Sequence, residues 1–331
     1  MKTLLLTEED VQNLLSMDEV LAAVESAFKE KGLGRVQMPA KLYLFYREYN
    51  GDLRTMPSYL ERLNISAVKV VNVHPENRSK HGLPSVMAIV TLIDPRSGAP
   101  LAIMGGTWVT AMRTGAAGGV AAKYLARKDS KVVGLVGAGA QAKTQLMGLF
   151  SLYKSLDKVK IWSRTKTTRN GCVVEAEAMF GDRAEMTAVN SVRDAVEGSD
   201  IVVTITPSRQ PVVSDDWIEP GTHINCIGAD APGKEELDPV ILTRSKMVVD
   251  DWEQASHSGE INVPLAKGII TRKDIWGNIG EVVAGLKEGR TSSDEITVFT
   301  STGLAVQDAV TAELAYKKAL ERNIGQYVEI V

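Results

Sequence analysis

The stretch KVVGLVGAGAQAKTQL, residues 131–146, decides how the middle of this chain folds. Lys131 to Val136 is a short apolar run of the kind that forms a buried strand. Gly137, Gly139 and Ala142 follow at G-x-G-x-x-A spacing, and a helical pattern opens near Gln141. Each small residue has its own use. Gly137 permits a tight turn, Gly139 lets the backbone approach a pyrophosphate, and Ala142 lets the helix lie close on the sheet. The free N–H groups at the helix start then face the phosphates. Alone the motif is weak; between a strand and a helix it predicts a dinucleotide site.

Working outward, strand candidates at 158–162, 201–206, 223–228, 246–251 and 296–301 are separated in several places by helical patterns. That rhythm predicts a doubly wound parallel sheet. Upstream the rhythm differs. Runs at 41–46, 67–73, 85–93 and 100–104 are strand-like, and DPRSG (94–98) supplies hairpin turn residues, so a mainly antiparallel α+β unit is expected. Ser16 and Glu19 fit a capping box ahead of a helix whose face carries Val20, Leu21, Val24 and Phe28. Residues 107–127 are helical in pattern but crowded with glycine and alanine. Glycine costs helix stability, so a close approach to another backbone or a ligand is expected there. A last helix runs from near Gly303 to about Arg322.

Composition excludes several classes. The 331 residues are 44% hydrophobic and 24% charged, with 38 Lys and Arg against 41 Asp and Glu. A net charge of −3 argues against a nucleic-acid binder. Cys172 and Cys226 are far apart with no C-x-x-C, so neither a disulfide framework nor a cysteine zinc site is expected. The four histidines lack H-E-x-x-H spacing, no metal is called for, and no G-x-S-x-G elbow marks a serine hydrolase. MKTLLLTEED turns acidic before a signal-peptide core could form, and no apolar run approaches the ~20 residues of a membrane span. A cytoplasmic protein is expected.

The end of the second strand carries Ser163, Arg164 and Thr165, where NAD enzymes usually place an acid for the ribose 2′-OH. Two hydroxyls and a guanidinium suit a 2′-phosphate, so NADP is favoured over NAD. Ala140, Gln141, Thr206, Pro207, Gly228 and Ser301, at the turn and at strand ends, complete the candidate cofactor contacts. Lys69 sits inside the apolar run AVKVVNV. Asp230 directly follows HINCIG, at the carboxyl end of a strand, where ligands bind in open α/β sheets. Arg54 and Arg113 are candidates to hold an anionic group, although for any one of these four residues taken alone a structural salt bridge is the better reading.

Taken together, MRTGAAGG, VGAGAQA, TPSRQPVV, GTHINCIGADAPGKEELD, GEIN and IGEVVAGL resemble the ornithine cyclodeaminase/mu-crystallin superfamily over nearly the whole chain. IGEVVAGLKEGR and STGLAVQD are most similar to its archaeal-type alanine dehydrogenase branch. The resemblance implies a Rossmann domain (121–302) inserted in a substrate and dimerisation domain built from 1–120 and 303–331, assembled as a homodimer. It implies that Lys69 and Asp230 are catalytic and that Lys41, Arg54 and Arg113 contact the substrate. Ketimine reductases of the mu-crystallin type usually lack an acid at the position of Asp230. Two departures stand out: Thr300 replaces the aspartate of the usual FDS, and Ser163 stands where the alanine dehydrogenase branch often carries an acid.

The chemistry so implied is hydride transfer at the α-carbon of a small amino or imino acid, either the imine of pyruvate or a cyclic imine such as pyrroline-2-carboxylate. Two rivals remain. An ornithine cyclodeaminase would form proline and ammonia without net redox, and a crystallin-like protein would bind cofactor and ligand without turnover.

Overall fold

Strand Val132–Val136 sends Val133 and Leu135 into the apolar cluster on one side of a sheet, while Val136 faces the other. Its neighbour behaves alike, with Ile201 and Val203 on the first side and Val202 on the second. Burial on both faces is why these strands read as unbroken apolar runs. The computed structural model describes residues 2–330. This sheet contains, in spatial order, Glu185–Ala188, Lys158–Trp162, Val132–Val136, Ile201–Thr204, His223–Cys226, Thr297–Thr300, Lys246–Val249 and Ile275–Asn278. Every pairing is parallel. Successive strands therefore leave Val132–Val136 in opposite directions, the switch point at which open α/β sheets bind ligands. The sequence reading lacked the two edge strands, Glu185–Ala188 and Ile275–Asn278, which are short and partly polar.

The chain divides into two compact units, one ending at Arg113 and resuming at Leu304, the other Thr114–Gly303. The division falls inside helix Thr107–Leu125, between Arg113 and Thr114. The reason lies in the small residues. A Cβ on Gly115 would lie within 3.0 Å of the Thr144 carbonyl, and one on Gly148 within 3.0 Å of the Gly115 carbonyl. The helix from Thr114 onward thus lies backbone to backbone on helix Ala142–Leu152. The glycines are spent on packing.

The other unit holds a second sheet in the order Gln326–Glu329, Lys2–Leu6, Pro100–Gly105, Val86–Ile93, Ile65–Val73, Gly51–Leu60 and Val36–Gln37, with Leu42–Tyr46 also paired to Gly51–Leu60. All pairings are antiparallel except Lys2–Leu6 with Pro100–Gly105. Helix Ala305–Arg322 packs on helix Met17–Gly32 and across Gly51–Leu60 and Ile65–Val73. Asn323, at φ 54°, ends it. The expected capping box at Ser16 does not form. Ser16 instead donates its hydroxyl to the Glu19 carboxylate, which also takes a hydrogen bond from Lys318. No helix among the described residues is long and apolar enough to cross a membrane.

The helix crossing gives a stability test. Gly148→Ala sets a methyl group against a backbone carbonyl that cannot rotate away, and should cost roughly 1–3 kcal/mol. Gly171→Ala, in exposed helix with nothing within 4 Å of the new Cβ, should stabilise by about 0.5–1 kcal/mol. Urea midpoints measure both; a Gly148→Ala protein as stable as the parent would contradict the crossing.

Candidate active site

The turn after Val132–Val136 shapes one side of a cavity of about 470 Å³. Gly137 holds φ 115°, and a Cβ there would meet the Ile205 carbonyl at 2.6 Å. At Gly139 the opposite holds: nothing lies within 4 Å of an added Cβ. That open space beside the start of helix Ala142–Leu152, with Gln141 as its N-cap residue, is what a pyrophosphate requires, so the residues fit a dinucleotide. Ser163, Arg164 and Thr165 line the same cavity, as do Thr206 and Pro207. Thr165 also caps helix Lys166–Phe180, accepting from the Thr168 N–H at 3.3 Å. Sequence reasoning missed Trp162, Ile205, Ser208 and Val212 in this lining. Ala140 sits in the turn just after the lining residue Gly139. Ser301 is buried, its N–H donating to the Cys226 carbonyl at 3.0 Å.

Gly228 and Asp230 lie in the same unit, where strand His223–Cys226 ends. The Asp230 carboxylate is about one-third exposed and pairs with Lys234 at 2.5 Å. Lys234, which the sequence reading passed over, thus joins the site as an ion-pair partner of Asp230. His223, by contrast, is structural. Its Nδ1 meets Thr297 at 2.9 Å and its Nε2 meets Asn225 at 3.0 Å, and burial pushes its pKa down to about 3. Cys226 is buried, and burial raises the partly buried Cys172 thiol to about 11, leaving neither a reactive thiolate.

The other unit gathers cations. Lys69 is wholly buried, and its Nζ donates to Asp308 Oδ1 at 2.8 Å. Arg113 Nε donates to the same oxygen at 2.9 Å, and its Nη1 reaches Gln307 Oε1 at 3.1 Å. One carboxylate thus faces two cations. Burial, reinforced by the charge of Arg113 and more weakly of Lys41, pushes Lys69 down to about 7 against the upward pull of Asp308. Arg54 forks onto Asp52 with bonds of 2.9 and 3.0 Å and lies over the Tyr43 ring. The structure therefore brings Lys69 and Arg113 together, and adds Asp308 and Gln307, which sequence reasoning missed. A signal was present: Ala305, Asp308, Ala312, Ala315 and Ala319 form a three-four spaced buried stripe with an acid in it.

Comparison with known proteins agrees with this architecture. Residues 1–323 match the ornithine cyclodeaminase/mu-crystallin family. The chain is 49% identical to the alanine dehydrogenase of Archaeoglobus fulgidus, with 99% of each chain covered. Among solved structures, an archaeal alanine dehydrogenase dimer with bound NAD superposes with a TM-score of 0.95 at 48% identity, covering 100% of both chains. The Thermococcus litoralis Δ1-pyrroline-2-carboxylate reductase, in complex with NADH and L-proline, matches with a TM-score of 0.95 at 45% identity, over 98% of this chain and 100% of the other. The chain belongs to the ornithine cyclodeaminase/mu-crystallin family.

Proposed function

We propose that this protein is an NAD(P)-dependent oxidoreductase acting on the CH–NH2 or C=N group of a small 2-amino or 2-imino acid. One observation carries the reading: a dinucleotide cavity in a chain alike over its whole length to both an alanine dehydrogenase and a pyrroline-2-carboxylate reductase. Both activities move a hydride at a carbon that bears nitrogen beside a carboxylate.

The bound nicotinamide supplies or accepts that hydride. Side chains do the rest. Lys41, Arg54 and Arg113 hold the substrate carboxylate and so orient the α-carbon. Asp230 exchanges a proton with the substrate nitrogen or with water, and Lys69, held near pKa 7, is a second group able to do so at neutral pH. In reduction the imine carbon gains a hydride and the nitrogen a proton. In the reverse direction water adds to the iminium, ammonia leaves and a 2-oxo acid forms.

The second unit, Thr114–Gly303, is the cofactor domain of this reading, and the unit carrying Lys69 is the substrate and dimerisation domain. Strand Leu42–Tyr46 supports a homodimer. Among the described residues it pairs on one side only, with Gly51–Leu60, and leaves Leu42, Leu44 and Phe45 at 58%, 51% and 62% exposure. Such an apolar edge is a ready interface for a second copy. Light scattering at micromolar concentration should give twice the chain mass, and Phe45→Glu should halve it; a monomeric parent protein refutes the assembly.

Ser163, Arg164 and Thr165 bring no carboxylate to the ribose end of the cavity, which favours NADP. NADPH is expected to bind at least as well as NADH. Ser163→Asp should reverse the order, since a carboxylate repels the 2′-phosphate and accepts from the 2′-OH. Titrations of both cofactors decide the matter: a strong NADH preference in the unaltered protein overturns this reading of the loop.

For the substrate, pyruvate with ammonia and pyrroline-2-carboxylate should each be tried against NAD(P)H, with net loss of nicotinamide absorbance expected. Asp230→Asn keeps the shape but not the proton transfer, and should slow turnover by about 10²–10⁴-fold. Ornithine converted to proline and ammonia with no absorbance change would establish a cyclodeaminase instead. Near-normal turnover in Asp230→Asn would remove that residue from the mechanism.

A further inference from the structure

The segment Gly259–Asn262, GEIN, takes no part in the chemistry above, yet its polar side chains are buried. Glu260 Oε1 accepts the backbone N–H groups of Glu236 (2.8 Å) and Leu237 (2.7 Å). Asn262 Oδ1 accepts the Gly233 N–H at 3.0 Å, and its Nδ2 donates to the Lys234 carbonyl at 2.9 Å. The loop that carries Asp230 is thereby fastened at its middle and at its far end.

Its near end is fastened by Glu236, itself fully buried. Glu236 Oε1 accepts the Thr206 N–H at 2.6 Å. Oε2 accepts the Thr204 hydroxyl at 2.8 Å and the Gly228 N–H at 3.0 Å. Three donors converge on one carboxylate, from the end of strand Ile201–Thr204 and from the residues just after His223–Cys226. Thr206 lines the dinucleotide cavity, and Gly228 stands two residues before Asp230.

A buried carboxylate is a poor device for stability alone, because desolvation opposes it. What it offers here is acceptor capacity on both oxygens, which an amide lacks. Burial and, after it, the charge of the neighbouring Glu236 hold the Glu260 carboxyl well above the usual range, while burial raises Glu236 only to about 6 against the pull of its hydrogen-bond donors.

We propose that Glu236, itself anchored by Glu260, is a positioning residue that fixes the Thr206–Ser208 rim of the cofactor cavity and the Asp230 loop as a single rigid piece. The proposal rests on the reading of that cavity and of Asp230 given above. It implies that disturbing Glu236 harms cofactor binding and proton transfer together, although Glu236 does not line the cavity.

The test is Glu236→Gln, which turns an NH2 group toward converging donors. NADH binding, read by energy transfer from tryptophan (Trp162 lines the cavity), should weaken by about tenfold, the loss of one hydrogen bond to a charged group. Turnover at saturating cofactor should fall as well, and that fall should vanish in an Asp230→Asn background, because Glu236 acts on the saturated rate through Asp230. Thr204→Val removes one donor and leaves the carboxylate, and should give a smaller loss in the same direction; it replaces Glu236→Gln if that variant does not fold. Folded Glu236→Gln protein with unchanged NADH affinity overturns the proposal. So do rate losses that multiply with those of Asp230→Asn, the signature of a merely structural role. If the unaltered protein binds neither NADH nor NADPH, the reading of the cavity falls first and this proposal with it.

Discussion

The unit that carries Lys69 is organised around one buried carboxylate. Asp308 comes from helix Ala305–Arg322, Lys69 from strand Ile65–Val73 and Arg113 from helix Thr107–Leu125. All three side chains are buried, so each has lost hydration worth several kcal/mol, and only their meeting offsets that loss. Removing Asp308 leaves two buried cations uncompensated, at a cost of about 3–5 kcal/mol. The three elements must therefore arrive in one register. Apolar packing around them, as at Met56, Val71 and Ala305, would tolerate small slips; the ion cluster does not. Burial, and after it the charge of Arg113, lowers Lys69 to about 7 and keeps it chemically responsive near neutral pH.

Much of this was legible from residues alone, and the failures have physical causes. The strand–glycine–helix passage at 131–146 could be read because each small residue answers a local need. Lys69 stood out because an ammonium within a β-run contradicts its surroundings. Asp308 did not stand out, since its helix is amphipathic and an acid near a helix start looks solvated. Strand Gly51–Leu60, which holds Arg54, was missed because Gly51, Asp52 and Pro57 all read as turn residues. Pro57 is tolerated as a member of a paired strand, and its register partner is Val68. Glu235 and Glu236 looked like part of a polar loop, yet Glu235–Leu237 is a fully buried strand paired with Arg209–Val213. Local propensity carries no information about acceptors supplied from distant residues.

The strand pairing of the second sheet constrains the order of biosynthesis. Lys2–Leu6 finds its antiparallel partner in Gln326–Glu329, while every strand of the parallel sheet lies between these two segments. On a ribosome, the parallel sheet has all its strands before Gln326–Glu329 has been made. The first strand must wait, with one edge unpaired, while some three hundred residues are translated, a span of at least about 15 s at ~5–20 residues per second. Order of emergence thus makes the unit Thr114–Gly303 the natural first folding event, and leaves the unit bearing the Lys69 cluster to complete its sheet last.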